Sequence, residues 1–586
     1  MSRKGRNAIW LLLSVLLVVA MVVPAACAEE TAKPEIKYPD IFVEDTIGEP
    51  DSLDPAYAYD TASGELIQSI YEPLIYYKGA STDEYMSVLA TEWDVSDDGL
   101  TYRFKIREGV KFHNGDDLTP EDVEYSFERG MVQDYVAGPQ WMLFEPLLKR
   151  ASSRGSGGTV IPLSDITSAV EVDGQWVQFN LAQKYAPFLQ ILCQTWSSIV
   201  DKEWCIAQGD WDGTEASYKA LNSPAANQTP LNSKANGTGP FKLDSWEPGT
   251  VTMLRNDDYW GKKANFSTFV YKVVSEWTTR KLELTQGDCD WAYVDRQYIN
   301  ELTDEEALNL KVYKNLPQLR FDVFNFTQEI DPDSDWVGNG KLDGNGIPLD
   351  FFSDKDVRIG FNYAFDWETY IEDVFLGEMT QTASPVVEGL PYFNDKQEMY
   401  SLDLAKAEEH LKAAWGGQVW EKGFKFTVTY NTGNISRKTA CDILKANLAE
   451  INPKFQVTVR AIEWSEFLDQ YAQSLLPMFQ IGWQADYPDP HNFLQPYMHS
   501  EGVYAAAMGY SNPDVDALIE EGIGADSDRR EEIYYELQKI YHDDALGIAL
   551  GQQLGRRYFK AWVKGYIFNP VDPADIGHVY KLSKEY

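Results

Sequence analysis

The chain has 586 residues, of which 44% are hydrophobic and 24% are charged, the usual balance of a folded globular protein. At roughly 150 residues per domain, this length predicts about four domain-sized units or fewer large ones. The 51 basic and 91 acidic residues give a net charge of −40, whereas nucleic-acid binders need basic patches to neutralise phosphates. We therefore exclude a disordered chain and a nucleic-acid-binding protein.

The first residues are typical of an export signal. Arg3, Lys4 and Arg6 precede an apolar run over residues 8–23. In one interpretation residues 1–26 are a lipoprotein signal and Cys27 becomes the lipidated first residue; in the other, cleavage follows Ala28 and releases the protein. We favour the lipoprotein, which places the chain in the periplasm or on the outer face of the cytoplasmic membrane. No later run approaches the ~18 apolar residues of a membrane span.

The first half of the chain contains a clear hairpin and a clear helix start. Apolar and polar residues alternate over 100–106 after the turn at 97–99, which predicts a half-buried strand paired with the strand before it. Thr119 followed by Pro120, with Asp122 three residues after the threonine, predicts a capped helix. The stretches 151–159 and 222–239 are predicted to be loops.

The second half alternates strands and helices. Strands are predicted over 424–430, 455–459 and 478–483, with helices over 401–414, 436–450 and 464–474. A strand, a helix and a strand in succession predict a parallel crossover, so this region is an α/β unit with an open, partly parallel sheet. Ligands bind beyond the carboxyl ends of strands in such sheets, which is where residues 482–488 are expected.

Motifs for catalysis and for metal binding are absent. No nucleophile elbow, HExxH zinc motif, P-loop or dinucleotide fingerprint occurs. The acidic stretch 331–345 lacks the glycine and glutamate that an EF-hand requires, so a solvated loop is favoured over a calcium site. Cys193 and Cys205 are near enough in sequence to pair in an oxidising compartment; the alternative is that they, Cys289 and Cys441 are buried thiols.

An ordered series of motifs resembles one family. The series consists of IYEPL at 70–74, LATEW at 89–93, DDGLTYRF at 97–104, REGVKFHNG at 107–115, LTPEDV at 118–123, GTGPF at 237–241, RNDDYW at 255–260, DVR at 356–358, AFD at 364–366, GWQADYPDP at 482–490 and YSNPDVD at 510–516. Together they resemble the family 5 extracellular solute-binding proteins, the peptide and nickel receptors of ABC importers. The resemblance runs from about residue 40 to about residue 560.

The resemblance implies an α/β, two-lobed periplasmic-binding-protein-like fold with a hinge. Lobe one would comprise residues 38–83, 236–318 and 556–586, with an extra domain at 84–235; lobe two would comprise 319–555. The chain would cross between lobes near 318–326 and near 551–557. The implied mechanism is capture of ligand on one lobe followed by closure, after which a permease recognises the closed shape. The implied protein is a monomer without cofactor or metal.

The resemblance also implies the site. Peptide receptors of the family hold the ligand's α-ammonium on the aspartate of a WxxD motif, which here is Trp483 to Asp486; the alternative is that Asp486 caps a turn and that Trp483 is core. The backbone of Gly482 and Gln484 on one side, and of Pro73 or Leu74 on the other, would pair with an extended peptide. The neighbours Glu72 and Tyr487 complete the predicted ligand-binding set.

Three other functions stay open at this point. The chain is rich in aromatic residues, which suit sugar rings, so an oligosaccharide receptor is one alternative. A nickel-chelate receptor is a second, and a secreted hydrolase on the same scaffold is a third. We expect a receptor for peptides rather than an enzyme, because no activated nucleophile is evident.

Overall fold

The protein is described here by a computed structural model, which covers residues 35–136, 138–154, 160–224, 228–572 and 576–586. The predicted export signal and Cys27 lie outside the described residues. Within the described residues, no helix is both long enough and apolar enough to cross a membrane.

The described strands are the following: β1 Ile41–Thr46, β2 Ile75–Tyr77, β3 Tyr85–Ser87, β4 Ala90–Val95, β5 Thr101–Ile106, β6 Val170–Asp173, β7 Trp176–Asn180, β8 Phe241–Glu247, β9 Thr250–Arg255, β10 Thr268–Val273, β11 Trp291–Ala292, β12 Leu310–Pro317, β13 Arg320–Phe326, β14 Met379–Thr380, β15 Phe424–Asn431, β16 Phe455–Ile462, β17 Met478–Gln484, β18 Gly547–Lys560, β19 Val563–Lys564 and β20 Ser583–Lys584.

The described α-helices are the following: α1 Thr61–Ile70, α2 Pro120–Gln133, α3 Trp141–Leu148, α4 Leu163–Thr167, α5 Phe188–Ile191, α6 Lys202–Ala207, α7 Glu215–Leu221, α8 Trp277–Gln286, α9 Lys355–Ala364, α10 Trp367–Thr369, α11 Leu404–Ala413, α12 Gln418–Lys422, α13 Ile435–Ile451, α14 Trp464–Ala472, α15 His491–Met498, α16 Val503–Met508, α17 Pro513–Gly524 and α18 Ser527–Asp543.

One large sheet runs through the molecule in the order β16-β15-β17-β13-β18-β11-β1-β10-β9-β8, and β12 and β14 also pair with β18. The long strand β18 joins its two halves, because it pairs with β13 near its start and with β12 and β11 near its end. At the changeover Gly551 has a φ of +146°, and a Cβ there would lie 2.4 Å from the carbonyl oxygen of Thr380. Only glycine fits this crossing of the chain.

Beside this crossing, an ion cluster joins the two halves of the sheet. The carboxylate of Glu378 accepts a hydrogen bond from Nε of Arg556 at 2.7 Å and also binds the guanidinium of Arg296. Arg296 lies in the segment predicted for lobe one and Glu378 in the segment predicted for lobe two. The cluster therefore ties the predicted lobes together next to the strands that connect them.

Residues 84–235 contain a separate small sheet in the order β4-β5-β7-β6, covered by α2. The predicted hairpin is present as β4 and β5. The predicted helix start is present too: the Thr119 side chain accepts from the Asp122 N–H, and the Asp122 carboxylate accepts in return from the Thr119 N–H at 2.8 Å. This reciprocal cap satisfies two backbone donors that would otherwise be unpaired.

The α/β unit predicted in the second half is present. Strand β15 runs parallel to both β16 and β17, and its inner face packs Phe424 and Phe426 against Phe352 and Phe361 of the preceding segment. The predicted helix start at residue 401 was wrong, because α11 begins at Leu404. The side chain of Asp403 accepts a hydrogen bond from the Lys406 N–H and so fixes the first turn.

The structure is closed between the predicted lobes. The Tyr59 hydroxyl donates to Asp486 across the interface at 2.7 Å, and Gln484 Nε2 donates to the carbonyl of Pro570 at 2.7 Å. One hydrophobic core runs through this contact and includes Phe42 of the first half and Tyr487 of the second. The exact lobe boundaries given above stay a prediction.

The four cysteines among the described residues are free and buried. Cys193 lies after α5 and Cys205 lies within α6, and burial raises the pKa of both thiols well above its usual value. Of the two alternatives for these residues, the structure has buried apolar thiols rather than a disulfide. Such thiols are unreactive because the nucleophilic thiolate is disfavoured.

Candidate functional site

The carboxylate of Asp486 lies just beyond the end of β17 and has two hydrogen-bond donors. Its Oδ2 accepts from the Tyr59 hydroxyl at 2.7 Å and from Asn492 Nδ2 at 2.8 Å. The backbone N–H of Asp486 donates to Asn492 Oδ1 at 2.8 Å, so Asn492 holds both the backbone and the side chain. Oδ1 of Asp486 accepts no hydrogen bond from the described residues.

The charge of Asp486 has no cationic partner among the described residues. Burial raises the pKa of this carboxyl to about 7, although the hydrogen bonds from Asn492 and Tyr59 act in the opposite direction. A buried carboxylate is costly unless it is hydrogen-bonded and paired with a positive charge. The site therefore favours a ligand that brings a cationic hydrogen-bond donor to Oδ1.

Trp483 is a core residue that also positions the site. The residue is 8% exposed, and its ring makes edge contacts with Tyr59 and Tyr504 at centroid distances of 6.1 and 5.6 Å. Its Nε1 donates to Asn492 Oδ1 at 3.1 Å, the same oxygen that holds the Asp486 backbone. The tryptophan of the WxxD motif thus fixes the asparagine that orients the aspartate.

Asp486 is not a helix cap. The next helix, α15, begins at His491, whose N–H bonds to Asp489 Oδ1 at 3.0 Å. The acid that caps this turn is therefore Asp489, which is also paired with Arg530 at 2.7 Å. The alternative role considered for Asp486 belongs to its neighbour, and Asp486 is free for another function.

Strand β17 has a free edge where Gly482 and Gln484 lie. On one side the whole strand pairs with β13, whereas on the other side β15 pairs only with Met478 and Phe479. Residues 480–484 therefore have no ladder partner on that side among the described strands. At Gly482 a Cβ would lie 2.5 Å from Asp322 Oδ1, so a larger residue here would displace the side chain of Asp322. A free strand edge is the surface to which an extended peptide can add.

The carboxylate of Glu72 accepts hydrogen bonds from three other side chains of the protein. Its buried carboxylate accepts from Thr238 Oγ1 at 2.8 Å, from the Tyr259 hydroxyl at 2.6 Å and from Trp260 Nε1 at 2.8 Å. Burial raises its pKa to about 7 against the effect of these bonds. The YEPL motif is thereby anchored to the later RNDDYW motif. A ligand contact of Glu72 stays a prediction, and its carboxylate has a structural function.

The backbone carbonyls of Pro73 and Leu74 also accept hydrogen bonds from within the protein. The carbonyl of Pro73 accepts from the Leu89 N–H at 3.4 Å, and that of Leu74 from the Ala90 N–H at 2.9 Å. Pro73 has no N–H to offer. Pro73 lines a pocket beside the interlobe contact, and Leu74 is fully buried. Pairing of a peptide backbone with these two residues stays a prediction.

Tyr487 lies away from the free edge of β17. It is fully buried, and its hydroxyl lies 2.9 Å from His491 Nδ1 and 3.4 Å from the Tyr185 hydroxyl. Tyr185 in turn donates to Glu145 Oε2 at 2.8 Å. These contacts place Tyr487 in a buried network between the segments predicted for the extra domain and for lobe two. Its role in ligand binding stays a prediction.

A second charged group near the site lacks an ion-pair partner. Arg437 at the start of α13 is 6% exposed, donates to Asn431 Oδ1 at 2.8 Å and forms no ion pair with a described carboxylate. Burial lowers its pKa, and the nearby Arg320 lowers it further. Tyr504 lies within the electrostatic influence of both Arg437 and Asp486. A carboxylate and a guanidinium, neither with an ion-pair partner among the described residues, therefore both lie in the neighbourhood of Tyr504.

Sequence reasoning missed Tyr59, Asn492 and Arg437. Asn492 lies six residues after Asp486, and a polar residue at that distance in a motif-rich segment is a weak signal. Tyr59 is 427 residues from its partner, and no local pattern indicates such a contact. Among the described residues, no group of three or more His, Cys, Asp or Glu side chains is placed to hold a metal ion.

Comparison with known proteins identifies the family. The family model described as bacterial extracellular solute-binding proteins, family 5 Middle, matches residues 84–505. The chain belongs to this family of extracellular solute-binding proteins. The family and the α/β, two-lobed fold that the sequence predicts are both confirmed.

Relatives of the protein span almost its entire length. It is 26% identical to the heme-binding protein A of Haemophilus influenzae, over 94% of this chain and 96% of that protein. It is also 26% identical to the dipeptide-binding protein of Escherichia coli, over 97% of both. Among solved structures, the periplasmic binding protein DppA from Helicobacter pylori in complex with the peptide STSA matches with a TM-score of 0.76. That match has 24% identity and covers 93% of this chain and 98% of that one.

Proposed function

We propose that the protein is an extracytoplasmic receptor that captures peptides by closure of its lobes and delivers them to the permease of an ABC importer. The Escherichia coli relative named as a dipeptide-binding protein supports this assignment. The observation that carries it is Asp486, a partly buried carboxylate without a cation among the described residues, at the end of a strand with a free edge. The receptor binds its peptide stoichiometrically and releases it unchanged.

The α-ammonium of a peptide supplies what Asp486 lacks. An ammonium group carries three donors and one positive charge, and a charge-assisted bond to Oδ1 compensates for the burial of both groups. Tyr59 reaches Asp486 from the opposite lobe, so closure itself completes the hydrogen bonds of this carboxylate. Ligand charge and lobe closure are thus coupled at one residue.

The backbone of the peptide adds to the free edge of β17. Main-chain hydrogen bonds to residues 482–484 give affinity that does not depend on the ligand's sequence. Because Gly482 has no side chain, the side chains of Asp322 and Arg320 from the paired strand β13 come close to its Cα. Arg437 offers a counter-charge for the carboxylate of a short peptide, so both ends of the ligand are recognised in the closed cleft.

Membrane attachment is part of the proposal. Lipidation of Cys27 would hold the receptor at the outer face of the cytoplasmic membrane, beside the permease. The basic start and the apolar run before Cys27 support this placement. We propose that the protein acts there as a monomer, because each chain contains a complete cleft.

The experiment that tests the proposed function identifies the ligand directly. Native mass spectrometry of the protein, purified without denaturation, should reveal a set of bound peptides. The ligand-stripped protein should then bind trialanine with a stoichiometry of one in a calorimetric titration. An oligosaccharide, a nickel chelate or heme in place of peptides, together with no heat from trialanine, would contradict the proposal.

A further inference from the structure

The segment predicted for the extra domain, residues 84–235, is fixed to the segments predicted for lobe one. The guanidinium of Arg129 donates to both carboxylate oxygens of Asp54, at 2.8 and 2.7 Å, and both side chains are at most 1% exposed. Separation of such a pair would leave two charges without a partner in the protein interior. The extra domain therefore moves with lobe one, and its contacts with lobe two form when the lobes close.

Four polar side chains meet where the extra domain contacts lobe two. We call them the interlobe ring: Glu145 and Tyr185 of the extra domain, and Tyr487 and His491 of lobe two. The Tyr185 hydroxyl donates to Glu145 Oε2 at 2.8 Å, and the Tyr487 hydroxyl lies 2.9 Å from His491 Nδ1. Two longer contacts join these pairs across the interface. The two tyrosine hydroxyls are 3.4 Å apart, and His491 Nε2 is 3.5 Å from Glu145 Oε2.

The interlobe ring is shielded from solvent in this closed structure. Tyr185, Tyr487 and His491 are 1%, 0% and 3% exposed, and the Tyr185 and His491 rings pack edge to face at a centroid distance of 5.7 Å. Beside them, the Ala186 N–H donates to the carbonyl of Ile523 in α17 at 3.5 Å. In an open receptor water replaces a lost partner, whereas in the closed form the remaining polar group stays buried and unpaired.

Each half of the interlobe ring is held by its own segment. In the extra domain, Gln183 Nε2 donates to the Glu145 carbonyl at 3.2 Å, which keeps the chain before Tyr185 beside α3. In lobe two, Asp489 accepts from the His491 N–H and pairs with Arg530. Groups that are held in this way lose little conformational freedom when they meet, so closure gains most of their contact energy.

We propose that the interlobe ring is a latch, which holds the extra domain against lobe two in the closed receptor and sets how long a captured peptide stays bound. This inference rests on the proposed peptide-binding function and gives the extra domain a role in it. Tyr487 acts as a positioning residue, next in the chain to Asp486. A peptide leaves only after the ring has opened, so the ring slows dissociation without affecting the encounter with the open form.

The test measures the rates at which trialanine binds to and leaves the protein. Tyr487→Phe and Tyr185→Phe each remove one hydroxyl and leave a polar partner unpaired in the closed interface. Trialanine should therefore dissociate roughly 5-fold to 100-fold faster, with an unchanged association rate. Tyr541→Phe is the matched control and should change neither rate, because it removes a buried hydroxyl of lobe two that has no hydrogen-bond partner in the described residues.

Two comparisons distinguish a latch from a ligand contact and from a general loss of stability. The double variant should release trialanine more slowly than the product of the two single factors predicts, since both substitutions disrupt the same ring. Tyr487→Phe should accelerate the release of trileucine by the same factor as that of trialanine, because the ring holds the lobes and not the peptide.

The outcomes separate this inference from the proposed function. Dissociation rates that neither substitution changes, with trialanine bound, overturn the inference and leave peptide binding standing. So do single factors that multiply in the double variant, a factor that differs between trialanine and trileucine, and a factor that Tyr541→Phe reproduces. If trialanine does not bind the wild type, both proposals fail. Should Tyr487→Phe not fold, Tyr185→Phe opens the ring from the extra domain and should by itself accelerate release.

Discussion

Replacement of Asp486 by asparagine tests the ammonium contact. Asparagine keeps an oxygen for the bonds from Tyr59 and Asn492 but removes the negative charge. Loss of one charge from a buried pair typically costs about 2–5 kcal/mol, because the other charge stays buried alone. At about 1.4 kcal/mol per tenfold change, affinity for trialanine should fall by roughly 30-fold to several thousand-fold.

The assay is a double-mutant cycle by calorimetry. Wild type and Asp486→Asn are each titrated with trialanine and with N-acetyl-trialanine, which lacks the ammonium. Acetylation should weaken binding to the wild type strongly and to the variant much less, since the contact is already absent. Asp469→Asn is the matched control. Asp469 is exposed and lies near Asp51, whose pKa is raised by burial and then by the charge of Asp469, and its loss should change affinity for trialanine only a few-fold.

Additivity would refute the reasoning. If acetylation weakens wild type and Asp486→Asn by the same factor, the two groups do not touch and the ammonium is held elsewhere. If Asp469→Asn weakens binding as much as Asp486→Asn, the effect is the general field of the acidic cleft rather than a contact.

Three further predictions concern closure, the hinge and the anchor. Burial raises the pKa of Asp486 to about 7 in the closed form, above the ~3.9 of a solvated aspartate. Because the closed form therefore binds a proton more readily, acidification from pH 8 to 5 should favour closure without ligand. Small-angle scattering should show a smaller radius of gyration for the wild type at pH 5 than at pH 8, and a pH-independent radius for Asp486→Asn. Glu378→Gln removes the partner of two arginines at the hinge and should lower the thermal midpoint and the affinity for trialanine, whereas the exposed Glu372→Gln should change neither. Cys27→Ser should move the protein from the membrane fraction to the soluble exported fraction; a wild-type protein that is already soluble would contradict the lipoprotein assignment.

Local patterns in the sequence predicted much of the fold. The cap at Thr119, the alternation over 100–106 and the strand–helix–strand order around β15 and β16 are set by interactions between near neighbours, and the structure contains each of them. The start of α11 was misplaced by three residues because Asp403, rather than Ser401, provides the side-chain cap.

The site was only partly predictable because its contacts are distant in sequence. The WxxD motif indicated Asp486, but the groups that hold it come from Tyr59, in the segment predicted for lobe one, and from Asn492. Glu72, in the IYEPL motif at 70–74, was also predicted to bind ligand, whereas three hydrogen bonds from residues 238–260 occupy its carboxylate. Sequence motifs mark residues that matter without separating those that bind ligand from those that support the site.

The central claim is that a peptide's α-ammonium binds Asp486 while its backbone pairs with β17. A crystal structure of the protein with trialanine measures this directly. We expect the terminal nitrogen within about 3.2 Å of Asp486 Oδ1 and main-chain hydrogen bonds between the peptide and residues 482–484. A peptide bound with its ammonium elsewhere, or one that makes no strand pairing with β17, would contradict the account.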